Sequence, residues 1–249
     1  MSLLQNAHTP IGAWIKLPVV ESVEIMALAG FDFVVVDLEH GALDLTDVSR
    51  LVAVAAAHGL TPLVRVPDHS TTTIQRVLDA GAQGVLVPHV DTPAQAEAVV
   101  RAMRFPPRGH RGAGGTGRAG QWGLLPRDEY IRHGDTAVLC VPQLESAEAI
   151  AAAPAILAVD GVDAVFVGSA DLALSLGDPG RVPALVDEAL AAGAAAGKPC
   201  GLATITPEQA AGAVRRGARF LLVGNDAGML ARTASGVAGA VRKEVASDG

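Results

Sequence analysis

Hydrophobic and polar positions fall into one phrase repeated eight times along the chain: a short apolar run, a polar turn, an Ala-rich stretch, then Gly or a brief polar break. The apolar runs predict strands near residues 11–17, 31–39, 61–67, 82–88, 137–145, 162–168, 199–205 and 219–224. The stretches between them predict helices near 21–29, 46–57, 70–80, 92–103, 146–158, 183–196, 207–217 and 226–246. Gly30, Gly59, Gly81 and Gly197 follow predicted helices and suit the left-handed residue that ends one. Thr92-Pro93 and Thr206-Pro207 place a side-chain cap and a first-turn proline at two helix starts. Strand two, around Phe33 to Val36, is apolar on both faces, as strands of a parallel sheet are. Eight such units with right-handed crossovers predict a single-domain (β/α)8 TIM barrel over residues 1–249. The alternative is a doubly wound open sheet. It commonly carries a Gly-rich phosphate turn, and no GxGxxG follows the first strand.

One segment breaks the rhythm. Residues 106–126 hold seven glycines, three arginines and a histidine, which is long for an ordinary connection. Such an insertion is a functional loop whose cations meet an anion, or a solvated flap.

Half of the 249 residues are hydrophobic but only 3% are aromatic, so a sizeable core built from Ala, Val, Leu and Ile is expected. The net charge of −7 argues against nucleic acid or an acidic membrane as partner. No run is long and apolar enough for a membrane span, and the start lacks a basic-then-apolar signal pattern. Cys140 and Cys200 fall inside predicted strands, as buried thiols of a reduced, cytoplasmic protein would.

In a barrel the C-terminal strand ends converge on one site. Here they carry Lys16; Asp37, Glu39 and His40; Arg65; Pro88-His89; Gln143 and Glu145; Gly168, Ser169, Ala170 and Asp171; Thr204; and Asn225-Asp226. Glu145 and Asp171 lie 26 residues apart, one βα unit, so they sit on adjacent strands. Neighbouring strands are about 4.8 Å apart, so the two carboxylates can share one cation. Two oxygen ligands with positions left for water and substrate suit Mg²⁺, Mn²⁺ or Co²⁺. Each carboxylate could instead be salt-bridged to Arg65 or cap a helix. Arg65 is a fixed cation in an otherwise apolar strand, able to stabilise a developing enolate oxygen. The amides after Gly168 can hold a substrate carboxylate. His40 is the candidate general base, with Asp37 or Asp79 orienting its ring. Of three lysines only Lys16 is placed for Schiff-base chemistry, which leaves that route disfavoured against the metal.

These residues carry a resemblance. VDLEHG at 36–41, LVRVP at 63–67, LDAGAQGVLVPHV at 78–90, RFPPRGHRG at 104–112, VPQLES at 141–146 and GVDAVFVGSADLALSLG at 161–177 resemble, in this order, the class II pyruvate aldolases of the HpcH/HpaI aldolase family. The resemblance implies a metal-dependent barrel acting on a small 2-oxo acid and an aldehyde through a pyruvate enolate. Glu145 and Asp171 match the metal positions. Arg65 matches the pyruvate contact, and His40 the acid/base group with Asp37 or Asp79 as partner. Gln143 matches a site glutamine, and Gly168, Ser169 and Ala170 the carboxylate cradle. A homohexamer, a trimer of dimers exchanging the last helix, is implied as well. Ser169 stands where the family often has Pro. A citrate-lyase-like cleavage of an acyl-CoA is the alternative activity, and a non-catalytic binding barrel the alternative outside enzymes.

Overall fold

The computed structural model describes residues 3–5 and 8–247. Eight parallel strands close into a barrel in sequence order. They are β1 (Ile11–Ile15), β2 (Phe33–Asp37), β3 (Thr61–Arg65), β4 (Gly84–Val87), β5 (Leu139–Leu144), β6 (Val165–Val167), β7 (Cys200–Thr204) and β8 (Phe220–Asn225). The helices are α1 (Val20–Leu28), α2 (Leu45–Ala57), α3 (Thr71–Asp79), α4 (Pro93–Met103) and α5 (Arg127–Thr136). They continue as α6 (Ala147–Ala158), α7 (Ser169–Leu176), α8 (Val182–Ala196), α9 (Pro207–Arg216) and α10 (Asp226–Ser247). Two of these helices are extra to the expected eight. α5 follows the 106–126 insertion, and α7 starts at Ser169, directly after the predicted sixth strand at 162–168, of which only Val165–Val167 is strand.

Local chemistry sets the helix starts. Thr92 and Thr206 each accept the N–H of a glutamine three residues on, and that glutamine's side chain returns to the cap's own N–H. Each box contributes about 1 kcal/mol.

Strand alternation divides the apolar residues into two cores. Val34, Val36, Val64 and Val85 face the helices. Phe33, Val35, Leu63, Val141, Phe166 and Phe220 fill the barrel bore. Aromatics are rarer in this sequence than the core they build suggests. Phe33, Phe166 and Phe220, with Trp14 beside them, put half of the chain's eight aromatic residues in the bore. Aliphatic residues alone therefore do not make the core. Glycine on the neighbouring strand gives these rings their space. Gly12 pairs in register with Phe33 and Gly201 with Phe220, and a Cβ at either would come within 2.4 Å of the ring. The same alternation continues upward. On β2 the inward series Phe33, Val35 ends in Asp37; on β3 Leu63 leads to Arg65; on β5 Leu139 and Val141 lead to Gln143. The bore is thus apolar below and charged at the C-terminal mouth.

The insertion is tied down by its own cations. Arg104, just before it, is buried and donates to the carbonyls of Gly134 and Val138, each at 2.9 Å. Arg111 is buried over the Phe105 ring, 4.8 Å from its centroid, and donates to Asp79 Oδ1 at 2.7 Å. Arg108 lies 3.3 Å from Asp160. Arg108 and Arg111 therefore meet carboxylates of this chain. Asp79 closes α3, at the end of the barrel away from the mouth, and the Tyr130 hydroxyl donates to it at 3.4 Å. Within one chain this corrects the expectation that Asp79 orients His40.

Candidate active site

The charged layer at the mouth is built around Asp37. Its side chain has no exposed surface. Arg65 donates to it twice, Nε to Oδ1 at 2.8 Å and Nη2 to Oδ2 at 2.7 Å. Lys16 Nζ reaches Oδ2 at 2.6 Å. The main-chain N–H groups of Glu39 and His40 complete Oδ1, each at 3.2 Å. Burial pushes against ionisation of Asp37, but the Arg65 and Lys16 cations outweigh it and hold the carboxyl at about 2. The register explains the cluster: Asp37 and Arg65 are Cα partners on β2 and β3. Asp37 therefore clamps two cations and turns the chain at His40. It engages the His40 main chain, not its ring, a correction to the expectation that it orients the imidazole. Lys16 is committed as the ion-pair partner of Asp37.

The carboxylate nearest the His40 ring is Glu39. Its side chain is 9% exposed, and Oε2 lies 3.8 Å from His40 Nε2 and 2.9 Å from Arg65 Nη1. Neither contact is aligned as a hydrogen bond, so Oε2 is a buried acceptor without a donor among the described residues. The His40 ring is half exposed. Arg65 is buried, and Trp14 lies beneath its guanidinium, 4.3 Å from the ring centroid. Sequence reasoning assigns Glu39 no role. The signal was there: Gly12, Trp14 and Lys16 alternate up β1 as Asp37 and Arg65 end β2 and β3, so this corner gathers cations that need a second carboxylate.

Across the bore, Glu145 follows β5 and is 3% exposed. Gln143 Nε2 donates to its Oε1, and the main-chain N–H of His89 donates to its Oε2 at 3.0 Å. Burial is the main influence raising Glu145 above the ordinary carboxylate range, and the charge of Glu39 adds to it. The donors His89 and Gln143 pull the other way. Gly168, at the end of β6, leaves the space that Glu145 occupies. A Cβ there would lie 2.6 Å from Glu145 Oε1 and 3.1 Å from Gln143 Nε2. Immediately after it α7 begins without any side-chain cap. The N–H groups of Ser169 and Ala170 are thus helix-start donors with the positive end of the helix dipole behind them. Asp171 stands in the same first turn, partly buried.

The donor set fits a hard divalent cation. A cation beside Glu145 would offset the burial that opposes its ionised form. Gln143 Oε1 beside it is a buried acceptor with no donor among the described residues. No group of three or more His, Cys, Asp or Glu gathers among those residues; Glu145 and Asp171 are the carboxylates that would hold such a cation, with the remaining positions open to water and substrate. Thr204 closes β7 with its hydroxyl buried and without a hydrogen-bond partner among the described residues, whereas Asp226 accepts the main-chain N–H groups of Lys16 at 2.9 Å and Leu17 at 3.1 Å and so serves the framework. Cys140 and Cys200 are free, and burial pushes both thiols up to about 12. Among the described residues no helix is long and apolar enough to cross a membrane.

Known proteins are similar to this one along nearly the whole chain. Residues 11–233 match the family described as HpcH/HpaI aldolase/citrate lyase. The chain is 44% identical over 241 residues to a 4-hydroxy-2-oxovalerate aldolase of Rhodococcus jostii, covering 94% of this chain and 92% of that protein. It is 37% identical over 240 residues to a pyruvate aldolase of Rhizobium etli, covering 94% of each. The crystal structure of an HpcH/HpaI aldolase/citrate lyase family protein from Burkholderia cenocepacia superposes with a TM-score of 0.90 at 34% identity, covering 96% of this chain and 97% of that one. The chain belongs to the HpcH/HpaI aldolase/citrate lyase family and is one of its aldolases.

Proposed function

We propose that this aldolase is divalent-metal-dependent and cleaves 4-hydroxy-2-oxo acids reversibly to pyruvate and an aldehyde. The carrying observation is Glu145: a carboxylate whose burial opposes its charge, fixed by Gln143 and His89, with Asp171 one strand away. Glu145 and Asp171 would hold Mg²⁺, Mn²⁺ or Co²⁺. When bound, the cation supplies Lewis acidity to the 2-oxo group. The chain's own groups do the rest. The uncapped amides of Ser169 and Ala170 hold the substrate carboxylate. Arg65, with N–H groups beyond those given to Asp37, stabilises the negative oxygen that develops as the C3–C4 bond breaks. His40, with Glu39 beside its ring, takes the C4 hydroxyl proton. The aldehyde leaves, and protonation of the enolate at C3 gives pyruvate.

The test is deuterium exchange into the pyruvate methyl group in D₂O, with metal-stripped protein and after Mg²⁺ or Mn²⁺ is restored. Exchange only with metal is expected. Exchange without metal refutes the metal role and returns attention to Lys16. No exchange in either state removes pyruvate as nucleophile and favours an acyl-CoA substrate.

Assembly and compartment are part of the same reading. α10 is exposed along nearly its whole length, and Leu230, Val237, Val241 and Val245 form an apolar stripe on it. That stripe supports packing of α10 against another copy of the chain, in line with the homohexamer, a trimer of dimers, that the family resemblance implies, and light scattering giving six chain masses is the expected result. The buried free thiols agree with a reducing cytoplasm.

A further inference from the structure

His89 is one of three non-glycine residues among the described residues with a positive φ, at 53°. A side chain in that left-handed region is strained, and such strain persists where the surroundings over-determine it. Here they do. The Pro88–His89 peptide is gripped from both sides. On one side the Pro88 carbonyl accepts from His69 Nε2 at 2.7 Å. On the other the His89 N–H donates to Glu145 Oε2 at 3.0 Å. The two bonds lie in line through one peptide group, so each polarises the other. The His89 ring lies in the same gap. Its Nδ1 is 3.2 Å from Glu145 Oε2, and its Nε2 is 3.5 Å from Glu39 Oε1. An imidazole thus spans the mouth between the carboxylates that follow β2 and β5, while 62% of its side chain remains exposed. An exposed ring gains little from burial, so packing does not account for the strained backbone.

We propose that His89 is a positioning residue for Glu145: its left-handed backbone, clamped from behind by His69, aims both a peptide N–H and an imidazole at the carboxylate that takes the divalent cation. The proposal rests on the metal reading above and deepens it. A carboxylate with one oxygen tied to Gln143 and the other to His89 loses its freedom to rotate, so it meets the cation already oriented. Groups that orient a metal ligand from behind typically change metal affinity by about 10–100-fold when removed.

The test is calorimetric titration of the metal-stripped protein with Mn²⁺, together with thermal melting of the metal-free protein. Neither readout needs turnover. H89G keeps the peptide N–H, removes the ring and frees the backbone, and it is expected to bind Mn²⁺ roughly tenfold more weakly than wild type. H89N keeps a nitrogen near the place of Nδ1 and tolerates the left-handed region, so it is expected to bind close to wild type. H69L removes the clamp behind the peptide and is expected to weaken Mn²⁺ binding without touching either carboxylate. Backbone strain at this position predicts that H89G melts about 2–4 °C above H89A. H89G binding Mn²⁺ as wild type does overturns the proposal while leaving the metal reading intact. H69L with unchanged affinity overturns the clamp. A wild-type protein that gives no Mn²⁺ binding heat overturns the metal reading and the proposal with it.

Discussion

Adding a single methyl group, Gly168→Ala, should disable the site. The backbone at Gly168 has φ −82° and ψ 79°, so alanine meets no left-handed penalty, and the effect is one of space. The new Cβ would stand 2.6 Å from Glu145 Oε1 and 2.7 Å from its Cγ. Ordinary contact begins at 3.4 Å, so the carboxylate must retreat by about 0.8 Å. It cannot retreat freely, because Gln143 and His89 each hold one of its oxygens. A displacement near 1 Å in catalytic geometry costs about 10²-fold in rate, or about 2.7 kcal/mol of activation free energy. The overpacking itself costs about 1–3 kcal/mol of stability. The assay is the rate of pyruvate methyl exchange in the metal-loaded protein, read beside the thermal melt. A fall of about 100-fold with a modest drop in melting temperature is expected. Exchange within twofold of wild type would refute the reasoning, since the Glu145 carboxylate would then not be needed where the structure holds it.

Two further outcomes follow from the titrating groups. The Asp37 carboxyl is held at about 2, below its ordinary 3.8. Its contribution, on the order of 2 kcal/mol, is therefore complete above about pH 4 and drains away as the pH falls toward 2. Asp37→Asn should lose about 3–5 kcal/mol at neutral pH, because Lys16 and Arg65 then face each other without the carboxylate, and should lack this acid limb. Urea denaturation of both proteins between pH 2 and pH 6 checks it, and a parallel acid limb in the variant would count against the clamp. Burial pushes the Cys140 and Cys200 thiols to about 12, so a thiol reagent at pH 8 should label neither in the native protein and both in denaturant. Rapid native labelling would contradict their burial.

The barrel was legible because its strands are apolar on both faces and its helices announce their ends, with Gly at the C-caps and Thr-Pro at two starts. The extra helices were not, for different reasons. α5 is polar along its length and buries only Tyr130 and Gly134, so it lacks an apolar stripe to read. α7 is short, buries only Leu172, and runs on from the sixth strand across Gly168 with no side-chain cap to mark its start. At the site, Arg65, Gln143, Glu145 and Gly168 could be placed at the mouth by counting along alternating strands, and they do meet there. The partner of His40 could not. Asp37 lies three residues from it in sequence, but the register gives Asp37 to Arg65, and Glu39 turns back toward the ring. Nothing in Pro88-His89 signals a left-handed residue, since that conformation is imposed by His69 and Glu145 from elsewhere in the chain.

The glycine–phenylalanine pairs across β1–β2 and β7–β8 have a consequence for how this barrel can change. Each pair shares one fixed volume of the bore, assigned wholly to one strand: a benzyl group at Phe33 or Phe220, a hydrogen at Gly12 or Gly201. A larger residue at the glycine alone collides with the ring, and a smaller one at the phenylalanine alone leaves a cavity. The two positions can therefore drift only as a couple, by moving carbon atoms from one strand to its neighbour while their sum stays constant. Such an exchange would leave the polar layer above untouched, so the lower bore can be rebuilt in several shapes beneath the same chemistry.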